Sequence, residues 1–361
     1  MTMPLDTARA WVDIDLAALV ANARTVAAAA GVRLLPMVKA NGYGLGAAAV
    51  ARALEAVDPW GFGVATAEEG AALRAAGCTR PILVATPLAP GGTDPLLAAD
   101  LRPSIGDLAA LRAWRSRGDR PFHLEIDTGM SRAGIRWDDR EALSAAAAEL
   151  AHCPGWEGVY THFHSADSDP GSVECQWDRF NHAIAALPRR PALVHAANSA
   201  AALRGRAWAG DLVRPGIFLY GGEAGAGVPR PVAALRARVV AVRRVPAGAT
   251  VGYGATWHAT RDTTIATIGI GYADGWHRAA HVSGAPARTV ELHGSPVTLI
   301  GRVTMDMTMV ATDGPAAVGD VVTLFGGVVS LDAQARAAGT ISYELLTSLG
   351  ARLPRRYSGA A

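Results

Sequence analysis

Between residues 34 and 221 the 361-residue chain repeats one pattern: a short apolar run, turn residues, and a helical stretch rich in Ala, Leu and Arg. Apolar runs that alternate with helical segments are typical of parallel strands joined by crossover helices. Eight such runs predict a (β/α)₈ TIM-type barrel, and a doubly wound open sheet is the structural alternative. The runs are 34–40, 61–66, 81–86, 101–105, 122–128, 156–163, 192–198 and 212–221.

The character of the sequence changes after about residue 227, where β-branched alternation broken by turn residues replaces the Ala-rich stretches. Such alternation is typical of antiparallel strands. We therefore expect an α/β protein of two domains. The barrel occupies 10–227, and a mostly-β domain occupies 228–361, to which residues 1–9 also belong. Two short helices, near 334–338 and 343–349, complete the second domain.

Composition narrows the function classes. Half of the residues are hydrophobic, which allows a large core, and the net charge of +2 argues against a nucleic-acid or membrane-surface protein. Cys78, Cys153 and Cys175 lack the spacing of a metal site and indicate free thiols in a reducing compartment. No apolar stretch has the length of a signal-peptide core or a membrane span. We expect a soluble, cytoplasmic protein without a metal.

Lys39 is the only lysine among the 34 basic residues. Arginine replaces lysine on most solvated surfaces, but a guanidinium stays protonated and forms no useful imine. The apolar run before Lys39 predicts a buried strand that ends there, and Asn41 and Gly42 begin a glycine-rich turn. A lysine at the carboxyl end of a buried strand can lose its charge by desolvation and become nucleophilic. A partly buried structural lysine is the alternative.

Polar side chains also lie at the ends of four later runs. Asp127 closes the fifth, His162 the sixth and Asn198 the seventh, and Arg214 lies in the eighth. Active sites of barrel enzymes lie at the carboxyl ends of the strands. The sequence therefore predicts one active site that contains these groups together with Lys39.

The stretch VKANGYGLG at 38–46 resembles the cofactor-lysine motif of the alanine racemases, and GYADG at 271–275 extends the resemblance through most of the chain. The resemblance implies a pyridoxal 5′-phosphate (PLP) enzyme that interconverts L- and D-alanine, supplying D-alanine for peptidoglycan. Lys39 would hold the cofactor through an imine. The resemblance assigns the cofactor phosphate to Tyr43, Asn198, Ser199, Gly216, Ile217 and Tyr343.

Arg214 takes a specific role from this resemblance, because in the family the matching arginine faces the pyridine nitrogen. A carboxylate there would keep the ring protonated and make it a strong electron sink. An arginine disfavours ring protonation, which suppresses side reactions such as transamination and suits a racemase. A structural arginine that pairs across the barrel is the alternative.

Racemisation requires an acid/base group on each face of the substrate Cα. The resemblance assigns Lys39 to one face and Tyr253, from the partner subunit, to the other. A free tyrosine has a pKa near ~10, and the family assists it through a histidine that matches His162, linked to Arg214. The resemblance thus implies a homodimer with composite active sites.

Further assignments concern substrate binding. Tyr272 and Met305 match residues that line the partner's active-site entrance and bind the substrate carboxylate, and Asp306 matches an entrance residue. Ordinary packing in the β domain is the alternative for these three. Arg132 matches an arginine beside the phenolic oxygen of the cofactor, and it also contributes to substrate binding.

The chain departs from the family pattern at three positions. Glu125 stands where the family often carries a lysine whose carbamylated form holds the arginine that matches Arg132. Our hypothesis is that Glu125 supplies this carboxylate directly. Leu45 replaces a frequent histidine, and Thr304 replaces a frequent cysteine; neither departure touches a catalytic role.

Four alternatives remain beside the alanine racemase reading. A racemase of broad or serine preference belongs to a group that is usually exported, which the missing signal peptide disfavours. A non-catalytic PLP carrier would be a lone barrel, without the β domain or Tyr253. A barrel decarboxylase is expected to place a carboxylate where Arg214 stands. A Schiff-base aldolase would not need the phosphate-binding residues.

Overall fold

The computed structural model describes residues 7–278 and 287–359, so the first six residues of the expected second domain lie outside the described residues. The chain begins with strand β1 (Ala10–Asp15) and helix α1 (Leu16–Ala30). Asp15 caps α1, as its position before the Ala-rich stretch indicates, because its carboxylate accepts from the Ala18 N–H at 2.9 Å.

The first domain follows the predicted order of strands and helices. Its strands are β2 (Arg33–Leu34), β3 (Phe62–Val64), β4 (Ile82–Pro87), β5 (Arg102–Ile105), β6 (Phe122–Asp127), β7 (Ile135–Arg136), β8 (Trp156–Tyr160), β9 (Leu193–His195) and β10 (Leu212–Val213). Its further helices are α2 (Ala47–Leu54), α3 (Ala67–Ala75), α4 (Thr93–Ala98), α5 (Leu108–Arg115), α6 (Arg140–Leu150), α7 (Pro170–Ala185) and α8 (Ser199–Leu203). Short 3₁₀ turns lie at Glu55–Val57, Arg206–Trp208 and Ile217–Tyr220.

Eight parallel segments connect into a ring. Strands β3, β4, β5, β6, β8 and β9 pair in this order, β7 adds to β6, and β10 pairs with β2. Two gaps are bridged by backbone contacts: Met37 pairs with Gly63 in β3, and the Asp211 N–H donates to Val194 in β9. This confirms the predicted α/β barrel. The first strand is shorter than expected, since β2 ends at Leu34 and only Met37 continues the pairing.

The second domain is built on a closed antiparallel barrel. Its strands are β11 (Ala233–Val245), β12 (Thr250–Val251), β13 (Trp257–His258), β14 (Thr263–Ile268), β15 (Thr289–Leu292), β16 (Ser295–Ile300), β17 (Thr308–Thr312), β18 (Val321–Phe325) and β19 (Arg355–Ser358). Strands β11, β14, β17, β16, β15 and β18 close the ring, and β12 pairs only with β13. Helices α9 (Leu331–Ala337) and α10 (Ser342–Thr347) lie close to the two predicted positions. Short 3₁₀ turns lie at Tyr253–Ala255 and Tyr272–Asp274.

Strand β1 corrects the expected domain boundary. It pairs with β11 and β19, so residues 10–15, which we assigned to the barrel, lie in the sheet of the second domain. The apolar side chains of β1 are buried. The division of the remaining residues stays a prediction.

The second domain packs directly on the turn that follows Lys39. The Arg355 guanidinium donates to the Gly44 carbonyl at 2.9 Å, and the Tyr357 hydroxyl donates to the Leu45 carbonyl at 2.9 Å. The C-terminal strand thereby fixes backbone beside the predicted site. None of the helices in the described ranges has the length and apolar character that crossing a membrane requires.

Candidate active site

Lys39 begins a left-handed turn. Its four successors, Ala40, Asn41, Gly42 and Tyr43, have φ angles of 52°, 53°, 63° and 53°. Left-handed backbone costs about 1–2 kcal/mol for a residue that carries a Cβ. The turn therefore needs support from its surroundings, and it sets the backbone of Tyr43 relative to that of Lys39.

The charge of Lys39 is disfavoured by its surroundings. Burial lowers the pKa of its amine, the positive charges of Arg132 and Arg214 lower this pKa further, and the Glu69 carboxylate opposes them. A lowered pKa increases the fraction of neutral amine, which is the nucleophilic form. The structure thus gives the single lysine the property that the sequence predicts.

The carboxyl ends of the barrel strands surround a cavity of about 150 Å³. It is lined by ten of the residues that the sequence assigns to the site, together with Met37, Ala85 and Tyr160. The ten are Lys39, Tyr43, Arg132, His162, Asn198, Ser199, Arg214, Gly216, Ile217 and Tyr343.

Arg214 is fixed by five hydrogen bonds and is only 6% exposed. Its guanidinium donates to the carbonyls of Thr161 at 2.7 Å, His195 at 3.1 Å and Ala196 at 3.1 Å. It also donates to Nδ1 of His195 at 2.8 Å and of His162 at 3.3 Å. Burial lowers the pKa of Arg214 to about 10, so the side chain stays charged at neutral pH.

His162 is held in one neutral form. Because a guanidinium only donates, Nδ1 of His162 must accept from Arg214, and the imidazole proton lies on Nε2. Burial and the charges of Arg214, Arg132 and Lys39 lower the pKa of His162 to about 3. The neutral ring therefore offers one N–H donor.

The tautomers of two further histidines, His195 and His123, follow from their hydrogen bonds in the same way. His195 accepts from Arg214 at Nδ1, so its Nε2–H donates to Nδ1 of His123 at 2.7 Å. His123 in turn donates from Nε2 to the Glu157 carboxylate at 3.2 Å. Burial lowers the pKa of both histidines. Two neutral imidazoles thus connect Arg214 to a carboxylate at the side of the barrel.

Polar groups that follow β9 and β10 also line the cavity. Asn198 caps α8 through the Ala201 N–H at 3.1 Å, and the Ser199 hydroxyl accepts from the Gly216 N–H at 2.8 Å. Tyr43 stacks on Tyr220 with ring centroids 4.3 Å apart.

The hydroxyls of Tyr43 and Tyr343 are donors that suit an anionic group such as a phosphate. Burial raises the pKa of Tyr43, and burial with the charges of Asp167 and Asp332 raises the pKa of Tyr343 to about 12, so both hydroxyls keep their protons. A Cβ at Gly216 would lie 2.2 Å from the Tyr43 hydroxyl oxygen. Only a glycine allows this approach, which leaves a close-fitting cradle beside the tyrosine.

Glu125 lies outside the set that lines the cavity. It is buried in β6 and accepts from the Ser104 hydroxyl at 3.2 Å, and the same hydroxyl bonds to Tyr160. Burial raises the pKa of Glu125, while Arg132 acts on it only through its charge. The ion pairs found within 7–278 and 287–359 do not include Glu125 with Arg132, and a direct link between them stays a hypothesis.

Of the predicted residues of the second domain, Tyr343 lines this cavity in the same chain, whereas Tyr253, Tyr272 and Met305 do not. Tyr253 is 69% exposed, Met305 53% and Tyr272 42%, and none of them lines it. Asp306 accepts from the Arg352 guanidinium at 2.8 Å. A larger open cavity, about 530 Å³, lies beside Tyr253 on the second domain.

Two functional candidates escaped the sequence analysis. Tyr160 lines the cavity, and the Arg214 guanidinium lies 5.0 Å from its ring centroid. Its position two residues before His162, on the same face of a strand, was the available signal. Glu69 contacts the backbone beside Lys39, and only its place in the first turn of a helix was visible in the sequence.

Comparison with known proteins shows that the chain is similar to PLP enzymes. Residues 14–224 match the model of the alanine racemase N-terminal domain, and 232–357 match that of the C-terminal domain. The alanine racemase of Rhizobium meliloti (strain 1021) is 41% identical over an alignment 375 residues long, which covers 96% of this chain and 96% of that protein.

Two solved structures extend the likeness to three dimensions. The alanine racemase from E. faecalis has a TM-score of 0.90 and 32% identity, covering 97% of this chain and 98% of that chain. The alanine racemase from Bartonella henselae, solved with covalently bound pyridoxal phosphate, has a TM-score of 0.90 and 30% identity, covering 97% and 100%. Similarity of this extent covers both domains.

Proposed function

The chain belongs to the alanine racemase family, and from this premise we propose how its own side chains divide the work of interconverting L- and D-alanine. The enzyme uses pyridoxal 5′-phosphate. Supply of D-alanine for peptidoglycan is the standard role of such enzymes. The observation that carries the proposal is the cavity in which Lys39 faces the fixed Arg214–His162 pair.

The cavity has the groups that this cofactor needs. Lys39 would hold it covalently, and Tyr43, Asn198, Ser199, Gly216, Ile217 and Tyr343 would bind its phosphate. The fit rests on the glycine cradle beside the Tyr43 hydroxyl and on the protonated tyrosines around it. Bound there, the cofactor supplies an electron-withdrawing ring that acidifies the α-proton of the amino acid joined to it.

Arg214 would face the ring nitrogen as a donor. Its hydrogen bonds to three carbonyls prevent it from turning away, and a guanidinium that stays charged disfavours a second positive charge on the ring. Arg214 thereby restricts the chemistry to loss and return of a single proton. This restriction suits a racemase better than a transaminase.

Protons would move at two atoms, on opposite faces of the substrate. The Lys39 amine, whose pKa is lowered, would take or give the proton on one face. The hydroxyl of Tyr253 from a second subunit would serve the other face. The Nε2–H of neutral His162 would donate to that oxygen and stabilise its deprotonated form.

The enzyme would act as a homodimer with composite sites. The support is the exposure of Tyr253, Tyr272 and Met305 on the second domain, outside the cavity of their own chain. In a dimer with two-fold symmetry these side chains would reach the partner's cavity. There Tyr272 and Met305 would bind the substrate carboxylate with Arg132, and Asp306 would line the entrance.

Subunit mixing tests the composite site. We expect Lys39→Ala and Tyr253→Phe each to abolish most activity. Mixing them under conditions of subunit exchange should restore about a quarter of the wild-type rate, since half of the re-formed dimers are mixed and each has one complete site. No recovery, with exchange verified by mass, would overturn the composite site.

Chiral analysis tests the substrate. Purified PLP-loaded protein is incubated separately with L-alanine, L-serine and L-lysine. D-alanine should appear far faster than the other two D-isomers. Comparable rates would instead assign a broad-specificity racemase.

A further inference from the structure

We propose that Glu69 is a positioning residue for Lys39, which clamps the left-handed turn that carries the lysine and balances the positive charge around the amine. This inference rests on the proposed role of Lys39 as the cofactor-binding amine. The Ala40 N–H, directly after Lys39, donates to Oε1 of Glu69 at 2.6 Å. The Ala65 N–H, just after β3, donates to Oε2 at 2.7 Å.

The strained turn explains why such a clamp is needed at Ala40. Gly42 adopts left-handed backbone freely, and Asn41 tolerates it while its side chain accepts from the Ala47 N–H at 3.0 Å. Tyr43 is held by its stacking on Tyr220. Ala40 has none of these advantages, and its N–H donates to the Glu69 carboxylate.

The position of Glu69 in the sequence suggests a simpler role, which the geometry excludes. Thr66 caps α3 by accepting from the Glu69 N–H at 3.3 Å, so Thr66 and Glu69 have the spacing of a capping box. In a capping box the glutamate would return to the N–H of Thr66. Here its two oxygens accept from the N–H groups of Ala65 and Ala40. The carboxylate thereby connects the end of β3 to the turn that follows Lys39.

The charge of Glu69 also acts on the amine. Several ionisable groups face Lys39, and those that act on its pKa through their charge are Arg132 and Arg214, which lower it, and Glu69, which raises it. His162, Tyr43, Tyr160 and Tyr343 complete the lining of the cavity. Glu69 is thus the carboxylate that limits the fall in the pKa of Lys39.

The single lysine makes this charge effect measurable. In full-length protein stripped of cofactor, an amine-specific acylating reagent modifies one side chain, and mass spectrometry separates the Lys39 peptide from the N-terminal amine. Glu69→Gln should shift the midpoint of the rate–pH curve to lower pH by about 0.5 unit, because it removes the carboxylate whose charge favours the protonated amine. The matched control is Glu68→Gln, an exposed carboxylate in the same first turn of α3, which should leave the midpoint unchanged.

Hydrogen exchange in the cofactor-loaded enzyme tests the clamp separately. Glu69→Ala removes both acceptors, so peptides that contain Ala40 and Ala65 should exchange at least about tenfold faster, while Glu68→Ala leaves them unchanged. An unchanged midpoint in Glu69→Gln together with unchanged exchange in Glu69→Ala would overturn the inference. Failure of the proposed function would show differently, as cofactor held covalently by a protein with Lys39→Ala.

Discussion

The proposed site draws on two regions that differ in burial: the barrel rim around Lys39 and the loops of the second domain that carry Tyr253. At the rim Arg214 is buried and held by five hydrogen bonds, and the pKa values of Lys39, His162 and Arg214 are shifted by burial and by neighbouring charges. Tyr253 is mostly exposed, and its turn Tyr253–Ala255 lies beside an open cavity.

This difference shows which part of the chemistry one subunit can prepare. The barrel fixes the protonation of His162 and the charge of Arg214 without any partner. The loops present a side chain that lies outside the cavity of its own chain, and in the proposed dimer the second subunit would supply its environment. Substitutions at the rim should therefore alter folding and chemistry together, whereas substitutions on the loops should alter chemistry alone.

The largest effect is expected at Tyr253. Tyr253→Phe should reduce racemisation by about 10²–10⁴-fold, the usual contribution of one acid/base group. The melting temperature should stay unchanged, because the substitution removes only an oxygen from a side chain that its own chain leaves mostly exposed. In D₂O the α-proton of one enantiomer should still exchange through Lys39.

The control for Tyr253→Phe lies in the neighbouring strand. His258→Ala alters an exposed side chain of β13, which pairs with β12, and should retain full activity. If both enantiomers of alanine still exchanged their α-protons at wild-type rates in Tyr253→Phe, the division between rim and loop would be refuted.

A pH-dependent loss of stability is expected at the rim. The pKa of His162 is about 3 in the folded protein, below its unfolded value, so burial of the neutral ring stabilises the protein fully above pH ~6.5 and progressively less as the pH falls toward 3. Relative to His162→Asn, the wild type should lose about 1–2 kcal/mol more unfolding free energy between pH 7.5 and pH 5. Urea unfolding of the cofactor-loaded proteins at both pH values measures this loss of unfolding free energy.

A nearby histidine provides the comparison for that measurement. His164, two residues further on, is exposed and bonds Ser165, so His164→Asn should follow the wild type at both pH values. A parallel pH dependence for wild type and His162→Asn would show that the ring is not kept neutral by burial.

The smallest effect is expected at Glu125, which is buried but not tied to Arg132. If its charge holds Arg132 beside the cofactor, Glu125→Gln should weaken cofactor binding and lower turnover by about three- to tenfold. Ser104→Ala is the control, since it removes a donor to Glu125 and keeps the carboxylate. Unchanged binding and turnover in Glu125→Gln would remove Glu125 from the site.

Much of the barrel site could be predicted from the chain. Lys39, His162 and Arg214 lie at or near the ends of their strands, and parallel strands in a barrel bring their carboxyl ends together. The turn after Lys39 was foreseen from Asn41 and Gly42. Its left-handed backbone was not, because it depends on contacts with residues far along the chain, among them Glu69 and Arg355.

The boundary of the first domain was misplaced for a similar reason. The β1 sequence is equally suited to either domain by its pattern of apolar residues, and its partner strands lie more than 200 residues further on. Strand pattern predicts that a strand forms, whereas the pairing partner depends on which edge is free after both domains have folded.

By itself the sequence determined the order of strands and helices, the two domains, the single lysine and the polar groups at the strand ends. These follow from residue type and spacing, which act locally. Only the tertiary structure decided the tautomer of His162, the lowered pKa of Lys39, the clamp at Glu69 and the separation of Tyr253 from its own cavity. Each of these depends on burial and on distances between residues that are remote in the chain, because desolvation and charge act through space.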